Sequence, residues 1–208
     1  MWAAIGIFAA LNRRTATGEG CTVDTSLYET ALGWMTMHTA NYQASKRVAR
    51  RIGSENAGIA PYKAFEASDG WIVIAAGNDN LFARLASALG RTQWSTEARF
   101  STNPERVKNR ETLNALIAEV IKSQPRDVWI TELDAVGVPC APMLALDEIL
   151  AHPQIQAVGM LQDAPDGSMR LLGPPLQFDG ERPPYRSSPP KLGEANAMIS
   201  NFTARAEQ

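Results

Sequence analysis

The apolar and polar positions of residues 61–89 predict two short strands, a polar loop and a helix. Asp69-Gly70 stands between the β-prone runs 62–65 and 71–74. Asp-Gly between two such runs is a strong hairpin signal, because glycine accepts the positive φ that the turn needs. The rest of the chain is arranged on either side of this hairpin.

A helix is predicted directly after the hairpin, over residues 80–89, because apolar side chains recur there at helical spacing. Asn78 or Asp79 is placed to cap its N-terminus. Two polar loops therefore flank the hairpin: the first loop, residues 53–60, and the second loop, residues 76–80. Because an antiparallel hairpin brings its outer ends together, we expect the two loops to meet.

The N-terminal part alternates helical and β-prone patterns. Residues 1–14 predict a buried helix, residues 20–25 a short strand, and residues 26–44 a helix packed between other elements. Ser26 and Glu29 have the spacing of a capping box at the start of that second helix. A helix that starts at the first residue without a cap is expected of a chain cut out of a larger fold.

The C-terminal part predicts helices, an interrupted extended run and a second Asp-Gly hairpin. In chain order, these are a helix over 103–122 capped by Asn103, a helix over 124–137, an edge strand or linker over 138–144, a turn or two of helix over 147–151, a hairpin around Asp166-Gly167, a proline-rich surface tail over 173–190 and a weak helix from Glu194.

Composition narrows the function classes. With 45% hydrophobic and 20% charged residues, the 208-residue chain has the profile of an ordinary globular protein. A formal charge of −2 gives no general attraction to nucleic acid or an anionic membrane, so neither is expected as a partner. Cys21 and Cys140 form no CxxC pair and the two histidines no ligand cluster, so we expect no metal site and reduced thiols in a cytoplasmic protein.

Familiar catalytic motifs are missing from the sequence: it has no GxGxxG, GxxxxGK[ST], HExxH or GxSxG pattern. A basic cluster of Lys46, Arg47, Arg50 and Arg51 precedes the first loop. It fits either a solvated helix end, favoured by the helix dipole, or a contact to ligand phosphates. Both interpretations stay open at this point.

Four collinear stretches give the chain a resemblance to the carboxy-terminal part of the family III CoA-transferases, the CaiB/BaiF family. They are GEGCTVDTSLYETAL at 18–32, GIAPYKAFEASDGWIVIAAGNDNLFARL at 58–85, GVPCAPMLALDEILAHPQIQAVGM at 137–160 and PPKLGEANAMI at 189–199. They follow the order and spacing of the family and span nearly the whole chain.

The resemblance implies an α/β fold in which part of a Rossmann-like large domain accompanies a small α+β domain. On this sequence, residues 1–59 would be the helical part of the large domain, 60–138 the small domain, and 139–208 the return to the large domain with the tail. The irregular loop over 53–61 is the expected junction. The resemblance also implies two subunits threaded through each other as an interlocked homodimer.

The activity implied by the resemblance is transfer of CoA between an acyl-CoA thioester and a carboxylic acid. Family enzymes use an aspartate that forms a mixed anhydride, and covalent catalysis of this kind divides one hard step into easier ones. That aspartate is expected upstream of this chain, because Asp24 matches a structural position, so no catalytic residue is assigned. CoA and acyl-CoA enter as substrates, and no permanently bound cofactor is expected.

The resemblance places the two loops at the rim of the acyl-CoA site, and the helix start after the second loop is a plausible place for an anion. The candidate rim residues are Gly53, Asn56, Gly58, Gly77, Asn78 and Asp79. The related racemases tend to carry Ile-Glu where this chain has Asn78-Asp79, which favours transfer. Two alternatives remain: a 2-methylacyl-CoA racemase of the same family, and a non-catalytic fragment that only dimerises or binds ligand.

Overall fold

The structure, a computed structural model of the chain, describes residues 1–196. The chain divides into two compact units, Met1–Gly53 and Ser54–Gln208. The helices are α1 (Trp2–Thr17), α2 (Leu27–Trp34), α3 (Thr36–Ser45), α4 (Asp79–Ala88), α5 (Asn103–Lys108), α6 (Arg110–Ile121), α7 (Arg126–Ala135), α8 (Leu146–Ala151) and α9 (Pro153–Ala157), with one turn of 3-10 helix over Thr92–Ser95. The strands are β1 (Tyr62–Glu66), β2 (Trp71–Ala75), β3 (Cys140–Met143), β4 (Leu161–Asp163) and β5 (Arg170–Leu172).

The first unit consists of α1, α2 and α3. Gly18 ends α1 with a φ of 78° and donates its N–H to Arg14, a left-handed cap that glycine accepts without strain. The predicted N-cap is confirmed at α2, where Ser26 Oγ accepts the Glu29 N–H at 3.1 Å. The full capping box is not formed, because the Glu29 carboxylate accepts the Ser26 hydroxyl at 2.6 Å and not the Ser26 backbone N–H. The end of α1 and the start of α2 are therefore set by local chemistry.

Four expectations for this unit are wrong. Residues 20–25 form no strand, because no other strand of the described chain pairs with them. The predicted 26–44 helix breaks at Met35, where Thr36 turns its hydroxyl back to the Gly33 carbonyl at 2.7 Å. None of residues 1–53 is buried, so α1 is not the buried helix expected from its composition, and the second helix is not packed between other elements of the described chain.

The predicted central hairpin is confirmed in the second unit. Strands β1 and β2 pair antiparallel, with Tyr62 opposite Ala75 and Phe65 opposite Ile72. The proline-interrupted run adds β3 at the free edge of β2, giving the strand order β1-β2-β3. An edge position suits Pro142, since proline cannot donate a ladder hydrogen bond.

The core lies on the face of this sheet that carries Phe65, Ile72 and Ile74. Helix α6 contacts β1, helix α7 contacts β2 and β3, and α4 contacts α7. The helices contribute fully or almost fully buried side chains, among them Phe82, Leu85, Leu113, Ile117, Ile121, Trp129 and Leu133. The second unit thus has its own apolar core. This core holds the hairpin in place, including its open end, where the first loop enters β1 and the second loop leaves β2.

The predicted 103–122 helix is interrupted, and its N-cap is not the predicted residue. Thr102, not Asn103, occupies the N-cap position. Asn109 separates α5 from α6, and its side-chain amide donates to the carbonyls of Glu105 and Arg99 at 2.9 and 3.1 Å. The Asn103 side chain is taken by the first loop, as described below.

The C-terminal elements follow the predicted order, with the second hairpin formed by β4 and β5 around Asp166-Gly167. Helix α7 is joined to the sheet by Arg126, which donates to the Met143 carbonyl at 3.2 Å and the Glu148 carboxylate at 3.0 Å. The pKa of Glu148 is lowered, first by the Ala145 N–H that its carboxylate accepts and then by Arg126. The weak helix expected from Glu194 lies almost wholly outside the described residues.

Mixed helix and strand content agrees with the expected α/β class. The Rossmann-like sheet stays a prediction, as do the domain limits at residues 59 and 138. Strand β3 pairs with β2 although it lies beyond the second of these limits. No helix of residues 1–196 is long and apolar enough to cross a bilayer.

The core position of Ile74 generates the first testable prediction. Its side chain is fully buried at the centre of the sheet. Ile74→Ala is expected to lower the free energy of unfolding by about 2–5 kcal/mol, because it removes buried methyl groups and leaves a cavity. Urea denaturation followed by fluorescence measures the loss. Ile149→Ala, at a side chain 42% exposed, is the matched control and should change it by about 0.5 kcal/mol or less; equal losses would contradict the assigned core.

Candidate functional site

The two loops meet at the open end of the hairpin, as the sequence predicts. The Ala76 N–H donates to the Pro61 carbonyl at 3.0 Å, directly beyond the Tyr62–Ala75 pair. A Cβ at Gly77 would lie 3.0 Å from Cγ2 of Ile59, so the second loop passes very close to the first at a residue without a side chain.

Asn78 and Asp79 both act at the start of α4. Asn78 Oδ1 accepts the Leu81 N–H at 2.8 Å, which confirms an N-cap at one of the two residues predicted. Asp79 Oδ1 accepts a hydrogen bond from Nη2 of Arg106 at 2.8 Å. The helix start is therefore occupied by a cap and a carboxylate of this chain, which argues against the anion site expected there.

Arg106 is the residue that joins the two loops. Its side chain is fully buried, whereas 58% of the Asp79 side chain is exposed. Besides Asp79 it donates from Nε to the Ala60 carbonyl at 2.7 Å and from Nη1 to the Phe100 carbonyl at 3.0 Å. Its guanidinium lies 4.5 Å from the centre of the Phe82 ring, a cation–π distance.

Arg110, one turn further along, holds the middle of the first loop. It donates to the carbonyls of Asn56 and Ala57 at 3.0 and 2.7 Å. It also pairs with Glu55 at 3.2 Å, and the other oxygen of that carboxylate accepts from Lys63 at 3.3 Å. The positive charges of Arg110 in α6 and Lys63 in β1 are thus both paired with Glu55 of the first loop.

Two asparagines complete the hold on the first loop. Asn103 donates to the Gly58 carbonyl at 3.0 Å and accepts the Ala60 N–H at 3.2 Å. Asn56 folds its own side chain back onto the Gly58 N–H at 2.9 Å. The loop from Glu55 to Ala60 is therefore bound to α5 and α6 along its length, and these hydrogen bonds fix its conformation.

Five of the six candidate rim residues lie in the two loops that meet here: Asn56 and Gly58 in the first loop, and Gly77, Asn78 and Asp79 in the second. The direct contacts between the loops run through Ile59 and Pro61. Gly53 is the last residue of the first compact unit and has a φ of 63°. Its place in the rim stays a prediction.

The sequence reasoning missed the residues that assemble this rim. Arg106, Arg110, Asn103 and Glu55 were not among the candidates. The Asn103-Pro104 pair carried a signal, but it was assigned to helix capping. The two arginines carry no local signal for joining the loops, because the loop carbonyls that they bind, those of Ala60, Asn56 and Ala57, lie between 46 and 54 positions away.

Cys140 is the first residue of β3, and its environment makes it a poor nucleophile. Burial raises its pKa to about 11, and the neighbouring Asp134 carboxylate contributes to the rise. Its Sγ lies 3.7 Å from Asp134 Oδ1. Because the thiolate is the reactive form, this cysteine is almost entirely unreactive at neutral pH.

Two further features concern ligand binding: the side chains that could hold a metal ion, and the basic cluster before the first loop. Within residues 1–196, no three His, Cys, Asp or Glu side chains are grouped closely enough to hold a metal ion. In the same range, none of Lys46, Arg47, Arg50 and Arg51 forms an ion pair. Lys46 ends α3 in a left-handed conformation, as expected of a helix end. A phosphate contact by this cluster stays a prediction.

Comparison with known proteins identifies the family. A sequence profile of "CoA-transferase family III" matches residues 1–196. The chain belongs to this family. The resemblance found in the sequence is thereby confirmed, and the match includes both rim loops.

Named relatives are CoA-transferases and are about twice as long. The chain is 37% identical over 198 residues to an acyl-CoA transferase of Fusarium pseudograminearum, covering 93% of this chain and 43% of the relative. It is 32% identical over 203 residues to the acetyl-CoA:oxalate CoA-transferase of Acetobacter aceti, covering 97% and 52%. The chain thus spans about half the length of the curated relatives it matches.

Solved structures agree with this assignment. A CAIB/BAIF family protein from Brucella suis is 36% identical, with a TM-score of 0.80 over 95% of this chain and 52% of that one. Rv3272 from Mycobacterium tuberculosis matches with a TM-score of 0.76 over 93% of this chain and 50% of that one, and its 22% identity supports the fold alone.

The Arg106–Asp79 pair generates the second testable prediction. Asp79→Ala removes the carboxylate that, within residues 1–196, is the only one bound to the fully buried Arg106 guanidinium, so we expect a loss of about 1.5–3 kcal/mol in the free energy of unfolding. Asp79→Asn keeps an acceptor oxygen and should lose less. Asp127→Ala is the control, since that side chain is 81% exposed beside Arg126 and should cost about 1 kcal/mol at most. Equal losses in urea denaturation for the two alanine variants would contradict the role of Asp79.

The raised pKa of Cys140 generates the third testable prediction. Alkylation by iodoacetamide is measured in a Cys21→Ser variant, so that the exposed thiol is removed. Because the pKa is raised to about 11, the rate should rise roughly tenfold per pH unit between pH 7 and 10. Asp134→Asn should lower the pKa and speed alkylation at pH 8. A rate that levels off below pH 9 would contradict the raised pKa.

Proposed function

We propose that this chain forms the rim-bearing part of an enzyme that moves CoA between an acyl-CoA thioester and a carboxylic acid. The observation that carries the proposal is family III membership over residues 1–196, together with the two loops that Arg106 fixes side by side. An interlocked homodimer in the cytoplasm belongs to the same proposal. The charge of the protein favours a small-molecule substrate over nucleic acid.

In the proposed mechanism, an aspartate outside these 208 residues attacks the thioester carbonyl. The C–S bond breaks, the CoA thiolate leaves, and an acyl–aspartyl anhydride forms. CoA then attacks the aspartyl carbonyl, which releases the donor acid and leaves an enzyme thioester. The acceptor carboxylate displaces CoA from that thioester, and CoA finally attacks the acceptor's carbonyl to give the new acyl-CoA and the free aspartate.

The rim residues contribute position and shape to these steps. Reacting groups held in a fixed geometry avoid much of the entropy cost of a bimolecular step. The first loop is suited to this, because hydrogen bonds from α5 and α6 hold it from Asn56 to Ala60. Asp79 keeps one oxygen on Arg106 and has an exposed side chain, so it is the rim carboxylate available to a ligand.

A small dicarboxylic acid is the acceptor class we propose. Relatives are named for oxalate, glutarate, citramalate and mesaconate, which share two carboxylates on a short carbon chain. Asn78-Asp79 in the second loop favours this transfer over the 2-methylacyl-CoA racemase alternative. The non-catalytic fragment alternative is favoured by one observation, the lack of an assigned nucleophile in the chain.

A trapping experiment tests the proposal and generates the fourth prediction. The chain is co-produced with the half of the Brucella suis family member that it does not match. The mixture is given succinyl-CoA or acetyl-CoA with a labelled dicarboxylate. We expect label in the acyl-CoA pool and, with hydroxylamine, a modified aspartate located by mass spectrometry on the complementing polypeptide.

The controls separate the alternatives. Asp24→Asn in this chain should leave adduct formation intact, because Asp24 is not assigned as the nucleophile. Deuterium exchange at the α-carbon of a 2-methylacyl-CoA without transfer would select the racemase. An adduct on any residue of this chain would contradict the mechanism, and no turnover in a mixture that forms a stable complex would favour the non-catalytic alternative.

A further inference from the structure

The outer edge of β1 is covered by the beginning of the first loop. In the antiparallel pair with β2, the backbone groups of alternate residues of β1 face β2, and those of Tyr62 and Ala64 face away from it. The Asn56 N–H donates to the Tyr62 carbonyl at 3.1 Å, and the Ala64 N–H donates to Ser54 Oγ at 3.1 Å. The loop therefore satisfies backbone groups that a free sheet edge leaves unpaired.

Residues 54–56 run along β1 in antiparallel register. The hydrogen bonds of Ser54 and Asn56 bring Glu55 opposite Lys63, and the Glu55 carboxylate lies 3.3 Å from Lys63 Nζ. On its other side, Lys63 is opposite Ile74, whose side chain belongs to the core. Because residues opposite each other in neighbouring strands share a face of the sheet, Glu55 lies on the face that carries the core.

The Glu55 carboxylate accepts hydrogen bonds from two different elements. Its Oε1 accepts from Lys63 Nζ at 3.3 Å and from Asn114 Nδ2 at 3.1 Å, and its Oε2 accepts from Arg110 Nη1 at 3.2 Å. Lys63 belongs to β1, whereas Arg110 and Asn114 lie one turn apart in α6. The Glu55 side chain is 19% exposed. One mostly buried carboxylate thus joins the first loop to the edge strand and to the helix that contacts it.

Asn114 donates to Glu55 at a cost to the stability of the fold. It is 7% exposed, and its Oδ1 is buried with no hydrogen-bond partner among the described residues. Native structures keep few such acceptors, because a buried polar atom without a partner is destabilising. In the same range, the one hydrogen bond of this side chain is the bond to Glu55. That bond therefore accounts for a polar residue at a position where an apolar one would suit the core.

We propose that Glu55 is a positioning residue of the rim. Its three hydrogen bonds hold residues 54–56 on the edge of β1, so that the rest of the first loop enters the rim in one conformation. Asn114 supports this hold at the expense of stability. The hold on the loop is a property of the second unit, whereas its use in positioning an acyl-CoA rests on the proposed function.

Hydrogen exchange followed by NMR on the full chain tests this inference and gives the fifth prediction. The reporters are the amides of Asn56, Gly58 and Ala60, which all donate hydrogen bonds within the second unit. In Glu55→Ala their exchange should be faster by about tenfold or more. Glu66→Ala is the matched control, since it removes a carboxylate of β1 that is 57% exposed, and it should change these rates by less than about twofold.

Asn114→Leu separates the hold on the loop from the stability of the fold. Leucine has a similar branched shape, and it removes both the unpaired oxygen and the hydrogen bond to Glu55. We expect the three loop amides to exchange about threefold faster or more, whereas the midpoint of urea denaturation should not fall. A residue that served stability alone would lower the midpoint as it speeds exchange.

Glu55→Gln is the conservative variant. It keeps the size of the side chain and one acceptor oxygen, so the loop amides should exchange at rates between those of the unchanged chain and of Glu55→Ala. In the complemented enzyme of the fourth prediction, Glu55→Ala should raise the KM for acyl-CoA by about tenfold and change kcat by about threefold at most. The reason is that a loosened loop must be ordered when the substrate binds.

Three results would overturn the inference. Equal exchange of the loop amides in Glu55→Ala and in the unchanged chain would show that Glu55 does not hold the loop. A lower urea midpoint in Asn114→Leu would show that Asn114 serves stability instead. An unchanged KM in an active complemented enzyme would remove the positioning role. Absence of turnover would contradict the proposed function and not the hold on the loop, which exchange measures in the chain alone.

Discussion

The buried guanidinium of Arg106 is the interaction on which the candidate rim depends. A charge removed from water is tolerated only when its donors find acceptors. Arg106 finds them on three separate segments of the chain, at Ala60, Asp79 and Phe100, with the Phe82 ring over its face. The loops before β1 and after β2 are therefore fixed relative to each other because one side chain needs both of them.

This arrangement makes the first loop part of the folded unit. Arg110 and Asn103 bind the carbonyls of Asn56, Ala57 and Gly58, so a closing movement of the loop would break several hydrogen bonds at once. These contacts favour a loop of fixed shape. In the proposed enzyme such a loop would position a substrate without spending binding energy on ordering the loop.

The sequence predicted what is local and missed what is distant. The caps at Ser26 and Asn78 depend on residues three positions apart, and both are present. The two Asp-Gly hairpins are also present, although of their turn glycines Gly167 has the positive φ expected of such a turn and Gly70 does not. Arg106 and Arg110 act on backbone carbonyls, which every residue possesses, so their partners leave no trace in the sequence. The Asn103 prediction failed for a related reason. An asparagine before a proline is a good N-cap, but the Asn103 side chain forms its hydrogen bonds with Gly58 and Ala60 of the distant first loop.

The failure of the predicted 20–25 strand follows from the same distinction. A helix satisfies its backbone within its own segment, so α1, α2 and α3 form even though nothing in the described chain covers them. A strand has no such option, because its hydrogen bonds always belong partly to a neighbour. The β-prone residues of this segment therefore do not form a strand where no neighbouring strand pairs with them. Strands β1, β2 and β3, in contrast, find their partners within the second unit.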